Sequence, residues 1–137
     1  MEVFCAEGTV YSREHEYAGS CDLFGLVKLP KWEAPRPAVV DYKTSKKVYD
    51  EVGFQLAAYG NADFINLVPG HEEEPPVESP LPKVECGIVV RPTEEGGYQY
   101  KVFEFTDDLF KTFLRIREVA FHELVLREAK ARLVTVK

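Results

Sequence analysis

The chain has 137 residues and a net charge of −6, with 45% hydrophobic and 29% charged residues. That length suits one domain with a substantial core, and the composition is that of an ordinary soluble globular protein. The negative balance excludes nucleic-acid binding by bulk electrostatics alone, so such a role needs a local basic surface, metal ions beside the carboxylates, or another module.

Val3–Ser12 is rich in β-branched and aromatic residues and predicts a first strand. Arg13–Glu16 is a polar turn, and Tyr17–Leu29 predicts the second strand of a hairpin, with Gly19 permitting a bulge or a close backbone approach. Pro30–Pro37 is a proline-punctuated loop whose Trp32 is expected to pack on the core. Ala38–Lys43 ("AVVDYK") predicts a third, central strand, followed by a basic turn, "TSKK".

Tyr49–Leu67 predicts a helix with Asp50 as N-cap and Glu51 in its first turn. Val68–Pro82 is acidic and proline-rich and predicts an exposed, mobile loop, with the run Glu72–Glu74 kept away from any anionic substrate. Lys83–Pro92 and Tyr98–Phe105 predict a second hairpin around "TEEGG". Thr106–Leu133 predicts a long helix, N-capped by Thr106, with Asp107 and Asp108 complementing its dipole. Leu109, Phe113, Ile116, Ala120 and Leu124 recur at helical spacing. The order β-β-β-α-β-β-α predicts an α/β (α+β) domain spanning residues 1–137, with helices packed on a mixed sheet.

Cys5, Cys21 and Cys86 include no C-x-x-C pair, so neither zinc nor a disulfide framework is indicated, and buried reduced thiols are expected. The N-terminus lacks the pattern of a signal peptide and no apolar run approaches ~18 residues, which together predict a cytoplasmic protein.

Several polar residues interrupt apolar elements: Glu7 and Asp22 in the first two strands, Asp41 and Lys43 closing the third, and Gln55 and Tyr59 four apart on one helix face. Alternation points Asp41 and Lys43 the same way, which suits a salt bridge or half of a metal-dependent site. Carboxylates buried in adjacent strands are costly unless opposite charge compensates, and a lysine or a hard divalent cation can supply it. Singly, each of these residues is an ordinary surface or strand residue; the ordered set is more specific.

That set, Glu7, "YAGSCD" with Asp22, "VVDYKTSK" with Asp41 and Lys43, then "FQLAAY" with Gln55 and Tyr59, resembles the PD-(D/E)XK nuclease superfamily, closest to its RecB-like, Cas4-like branch. The resemblance covers Glu7 to about Leu67. It implies a restriction-endonuclease-like core and a Mg²⁺- or Mn²⁺-dependent deoxyribonuclease, an exonuclease of phage or bacterial recombination, repair or replication. It implies DNA as partner, with helicase or recombination proteins as further candidates and no membrane. Asp22 and Asp41 would bind one or two ions with the main-chain carbonyl of Tyr42, Glu7 would join directly or through water, and Lys43 would orient the attacking water. Gln55 and Tyr59 would lie near the active strand and the DNA backbone.

Two departures accompany it. Members of this branch often carry a histidine in a helical region before the first acidic motif, whereas Met1–Ala6 alone precede Glu7 and His15 falls in a predicted turn. A fragment or minimal version is therefore expected. Iron–sulfur members need four cysteines, and three scattered ones argue against a cluster. Lys46 and Lys47 directly follow the active strand and are candidate phosphate contacts, and Lys28, Lys31 and Arg36 are weaker candidates for a basic rim. The competing readings are a catalytically inactive nuclease-fold module that binds nucleic acid or assembles with partners, and an unrelated α/β interaction domain.

Overall fold

A computed structural model of the chain describes residues 2–45, 47, 50–67 and 77–131. Seven strands form one mixed sheet, accompanied by two helices, an α+β architecture. The elements are β1 (Glu2–Ser12), β2 (Tyr17–Val27), β3 (Arg36–Tyr42), α1 (Val52–Gly60), β4 (Phe64–Leu67), β5 (Val77–Pro80), β6 (Cys86–Pro92), β7 (Tyr98–Glu104) and α2 (Asp107–Ala131). The strand order is β5-β4-β1-β2-β3-β6-β7. Among the described strands only β3 and β6 pair in parallel, so the chain must cross over between them, and α1 packs against both on the way.

The predicted helix Tyr49–Leu67 is corrected to a nine-residue α1. Its N-cap is Glu51, without a side-chain capping bond, and Asp50 instead pairs with Lys101 on β7. Asn61 ends the helix: its backbone N–H and its Nδ2 both donate to the Ala57 carbonyl, at 3.0 and 2.8 Å. The chain then turns at Asp63, whose carboxylate accepts from the Arg13 N–H at 3.0 Å and the Ser12 hydroxyl at 3.4 Å. This anchors "FINL" as β4 beside β1 rather than as a further helical turn. The predicted loop 68–82 is corrected at its end, because Val77–Pro80 forms edge strand β5 on β4. His71 and the run Glu72–Glu74 lie outside the described residues.

The sheet separates two apolar clusters. Val10, Phe24, Val39 and Val89 pack with Leu56 and Tyr59 of α1. Leu23, Val27, Val40, Cys86 and Ile88 pack on the opposite face, where Trp32 covers them as expected. Cys5 and Cys21 belong to the first cluster and Cys86 to the second. Arg36 spans the second face's edge, donating to Glu85 at 3.0 Å and to both oxygens of Glu104 at 2.8 and 2.5 Å, with its guanidinium 4.8 Å from the Trp32 ring. It therefore ties β3 to β7 and is not part of a basic rim.

Thr106 caps α2 as expected, its hydroxyl accepting from the Leu109 N–H at 3.2 Å. The first turns of α2 dock on the hairpin between β1 and β2 through Phe110 and Phe113 against Tyr17 and His15. Arg117 donates to the carbonyl of His15 there. Beyond that point the helix projects, leaving Val119, Phe121, Leu124 and Leu126 exposed. Among the described residues no helix is long and apolar enough to cross a membrane.

Candidate functional site

The β2–β3 register pairs Leu23 with Val40 and Phe24 with Val39, which continues to Asp22 opposite Asp41. The β1–β2 register pairs Ala6 with Leu23 and Gly8 with Cys21, which brackets Glu7 opposite Asp22. Three acidic positions therefore form one row across neighbouring strands. The row coincides with a local defect in alternation. Cys5 and Phe24 face the α1 cluster, yet Cys21 joins the same cluster three residues from Phe24, and Gly8 abuts Ile65 and the Cys5 sulfur. Glu7 absorbs the slip with a left-handed backbone, φ 52°, an uncommon conformation for a residue with a side chain. Such irregularities re-aim side chains out of the regular pleat.

Asp22 is one that is re-aimed. Its Oδ2 accepts from the Tyr42 backbone N–H at 2.8 Å, so the carboxylate binds the neighbouring strand where β3 ends. Asp41 is buried, 8% exposed, on the α1 face. Lys43 Nζ stands 2.9 Å from Asp41 Oδ2, a close ion pair. Its direction does not meet hydrogen-bond geometry, and Oδ2 is a buried acceptor without a hydrogen bond. Burial pushes the Asp41 pKa up, the Lys43 ammonium opposes this, and the nearby Asp22 carboxyl adds to the rise.

Gln55 Nε2 donates to the Tyr59 hydroxyl at 2.8 Å, joining the two residues expected to share a helix face. Tyr59 packs across β2 at Gly19. A β-carbon there would lie 2.5 Å from Tyr59 Cε1, so the missing side chain admits the ring. Burial raises the Tyr59 pKa, the Gln55 bond lowers it, and the Asp41 charge raises it further, which places the phenol within electrostatic reach of the buried carboxylate.

Oxygen donors with no N–H partner suit a hard divalent cation, and Mg²⁺ is commonly held by one or two carboxylates. Two neighbouring carboxyl groups with a single ammonium leave a shielded negative charge, and Asp41 Oδ2, ion-paired with Lys43 but accepting no hydrogen bond, is the oxygen that a cation would share with that ammonium. Asp41, with Asp22 beside it, supplies the carboxyl oxygens that would hold such an ion. Glu7 is exposed, and among the described residues no three His, Cys, Asp or Glu side chains converge at metal-ligand spacing. The row places Glu7 beside the pair without drawing it in.

On the other side of Asp41 the same face turns basic. Asp41 pairs in register with Val89, and Val89 with Lys101. Two residues further along the strands, the Lys43 N–H donates to the Val90 carbonyl at 2.9 Å, and Arg91 pairs with Gln99. Arg91 donates to the Ser45 carbonyl at 2.7 Å and to Gln99 Oε1 at 2.9 Å, which pins the segment after β3 onto β6. Lys47, Arg91, Tyr98, Tyr100 and Lys101 line an open groove of about 520 Å³ there. Lys47 was expected near the strand end; Lys46 lies outside the described residues. Arg91 and Lys101 carried no sequence signal, because only strand register brings them beside Asp41.

No protein-family model matches the chain, and no curated protein matches it.

Proposed function

We propose that the protein is a metal-dependent deoxyribonuclease that hydrolyses phosphodiester bonds, a RecB-like exonuclease in type. The observation that carries this reading is the end of β3. Asp41 is buried with its Oδ2 2.9 Å from the Lys43 ammonium and accepting no hydrogen bond, and Asp22 is held beside it through the Tyr42 N–H.

Hydrolysis of a phosphodiester adds negative charge to a centre that is already anionic, so catalysis needs fixed positive charge where that charge develops. A divalent cation, which Asp22, Asp41 and the Tyr42 carbonyl would hold, would supply Lewis-acid neutralisation and acidify water. The chain's own groups do the rest. The Tyr42 N–H fixes one oxygen of Asp22, leaving the other to bind. Burial of Asp41 lowers the local dielectric and strengthens every interaction made there. Lys43, tethered through its backbone to Val90, holds its ammonium at the strand end, where it orients the attacking water and faces the charge gained by the phosphoryl oxygens. The Gln55–Tyr59 pair stands over the same face and offers donors to a neighbouring phosphate.

A second reading, a nuclease-fold module that binds nucleic acid without cutting it, is favoured by one observation: Glu7 is exposed and does not converge with the two aspartates. Labelled single- and double-stranded DNA incubated with Mn²⁺ separates the two. Cleavage by the wild type that is lost in Asp41→Ala supports the nuclease. Intact DNA at a protein concentration shown to bind it supports the module.

A further inference from the structure

The acidic balance of the chain leaves unexplained how it would hold a polyanion. The groove beside Asp41 answers this. Val89 and Lys101 continue the row of Asp41 across β6 and β7, and Arg91 continues the row of Lys43. Four cations, Lys43, Lys47, Arg91 and Lys101, are thereby gathered on one face between the active strand and the sheet edge. Asp41 faces Lys43, and Asp50 pairs with Lys101. Among the described residues no carboxylate lies within ion-pair distance of Arg91; its donors go to the Ser45 carbonyl and Gln99. Arg91 thus brings an uncompensated charge to the groove while holding the turn that carries Lys47.

We propose that this β6–β7 groove is a phosphate track that binds the sugar–phosphate backbone of nucleic acid on the β7 side of Asp41 and Lys43. The proposal rests on the nuclease reading for its direction, since the track leads into the proposed catalytic pair. Its chemistry is that of phosphodiester anions, bound chiefly by Arg91 and Lys101. Tyr98 and Tyr100 wall the groove at the open edge of the sheet, with Tyr98 76% exposed.

The test is equilibrium binding of a fluorescein-labelled oligo(dT) in EDTA over a range of salt, which needs no hydrolysis. For a single strand, each phosphate that the protein ceases to neutralise lowers the slope of log K against log salt by about 0.7. Lys101→Gln is expected to lower it by about 0.7 and Arg91→Gln with Lys101→Gln by about 1.4, while Arg91→Lys retains it. Asp50→Asn, which removes the carboxylate paired with Lys101, tightens binding. Lys111→Gln on α2, which lines no part of the groove, leaves the slope unchanged. Slopes unaltered in the groove variants, an equal loss in Lys111→Gln, or a wild type that binds no oligonucleotide overturns the track. The two readings fail separately. Cleavage by a wild type whose groove variants bind normally refutes the track alone, whereas falling slopes in a protein that never cleaves leave the track and refute hydrolysis.

Discussion

Replacing Asp41 by asparagine changes charge while conserving shape, and it separates a structural ion pair from a metal ligand. The buried carboxylate sits beside Asp22 with its Oδ2 ion-paired to Lys43, and its pKa still lies above the ordinary value of 3.8. A raised folded-state pKa means that the protonated form is favoured by folding, so stability is greatest below the unfolded pKa and falls as pH rises through the folded one. Where the carboxyl is ionised its burial opposes folding, and Asp41→Asn is expected to melt no lower than the wild type in EDTA. A divalent ion bound at the proposed site would reverse the order. An ion at 100 times its Kd stabilises the folded state by about 2.7 kcal/mol. For the 137 residues of this chain, an unfolding entropy of ~2.1 cal/mol/K per residue converts that into a rise of about 9 °C in Tm. Differential scanning fluorimetry in EDTA and in Mn²⁺ reads both quantities: a rise in the wild type, and none in Asp41→Asn. A variant that melts well below the wild type in EDTA would show that Asp41 serves folding through Lys43. A wild type indifferent to Mn²⁺ and Mg²⁺ would refute the metal site.

Three further outcomes follow from the packing. Gly19→Ala forces a methyl against Tyr59 and is expected to cost ~1–3 kcal/mol in urea unfolding, as overpacking does; a neutral effect would mean that the ring is not seated there. The Arg36 guanidinium holds the Glu104 carboxyl below its usual value of 4.5, so this contribution is present above that pH and disappears as pH falls through the lowered pKa. Glu104 is largely exposed, and Glu104→Gln should therefore cost only about 0.5–1 kcal/mol at pH 7, a cost that shrinks as pH falls through the lowered pKa; a cost independent of pH would exclude the ion pair as its cause. Burial pushes the Cys21 and Cys86 thiols up to about 11, so both should resist a thiol reagent at pH 8 until the protein unfolds, and rapid labelling of the folded protein would contradict the core assignment.

Local pattern carried much of the fold. β1, β2, β3, β6 and β7 announce themselves through β-branched and aromatic runs bounded by turns, and α2 through Thr106 and its acidic first turn. "FINL" reads as helix because a four-residue segment directly after a helix is too short to show a periodicity of its own. Its conformation is decided by Asp63 gripping Arg13 and Ser12, residues about 50 positions away. β5 is hidden for the same reason: an edge strand of Val-Glu-Ser-Pro has weak strand propensity and exists by pairing with β4. Asp22, Asp41 and Lys43 were legible as a set, and the structure brings them together. The orientation of Asp22 was not legible, since the Tyr42 N–H that fixes its carboxylate lies in another strand. Arg91 and Lys101 were invisible in sequence because charge at those positions acquires meaning only from their register with Lys43 and Asp41.

The central claim is that Lys43 acts on the reaction and the aspartates on the ion, so the decisive measurement is single-turnover cleavage of a labelled oligonucleotide by Lys43→Ala alongside its Mn²⁺-induced rise in Tm. Lys43→Ala is expected to keep the rise while losing cleavage by about 10²–10³-fold, the scale of removing one positioned electrostatic group. Cleavage that survives intact in Lys43→Ala, or a wild type that binds Mn²⁺ and DNA together and leaves the DNA whole, would contradict it.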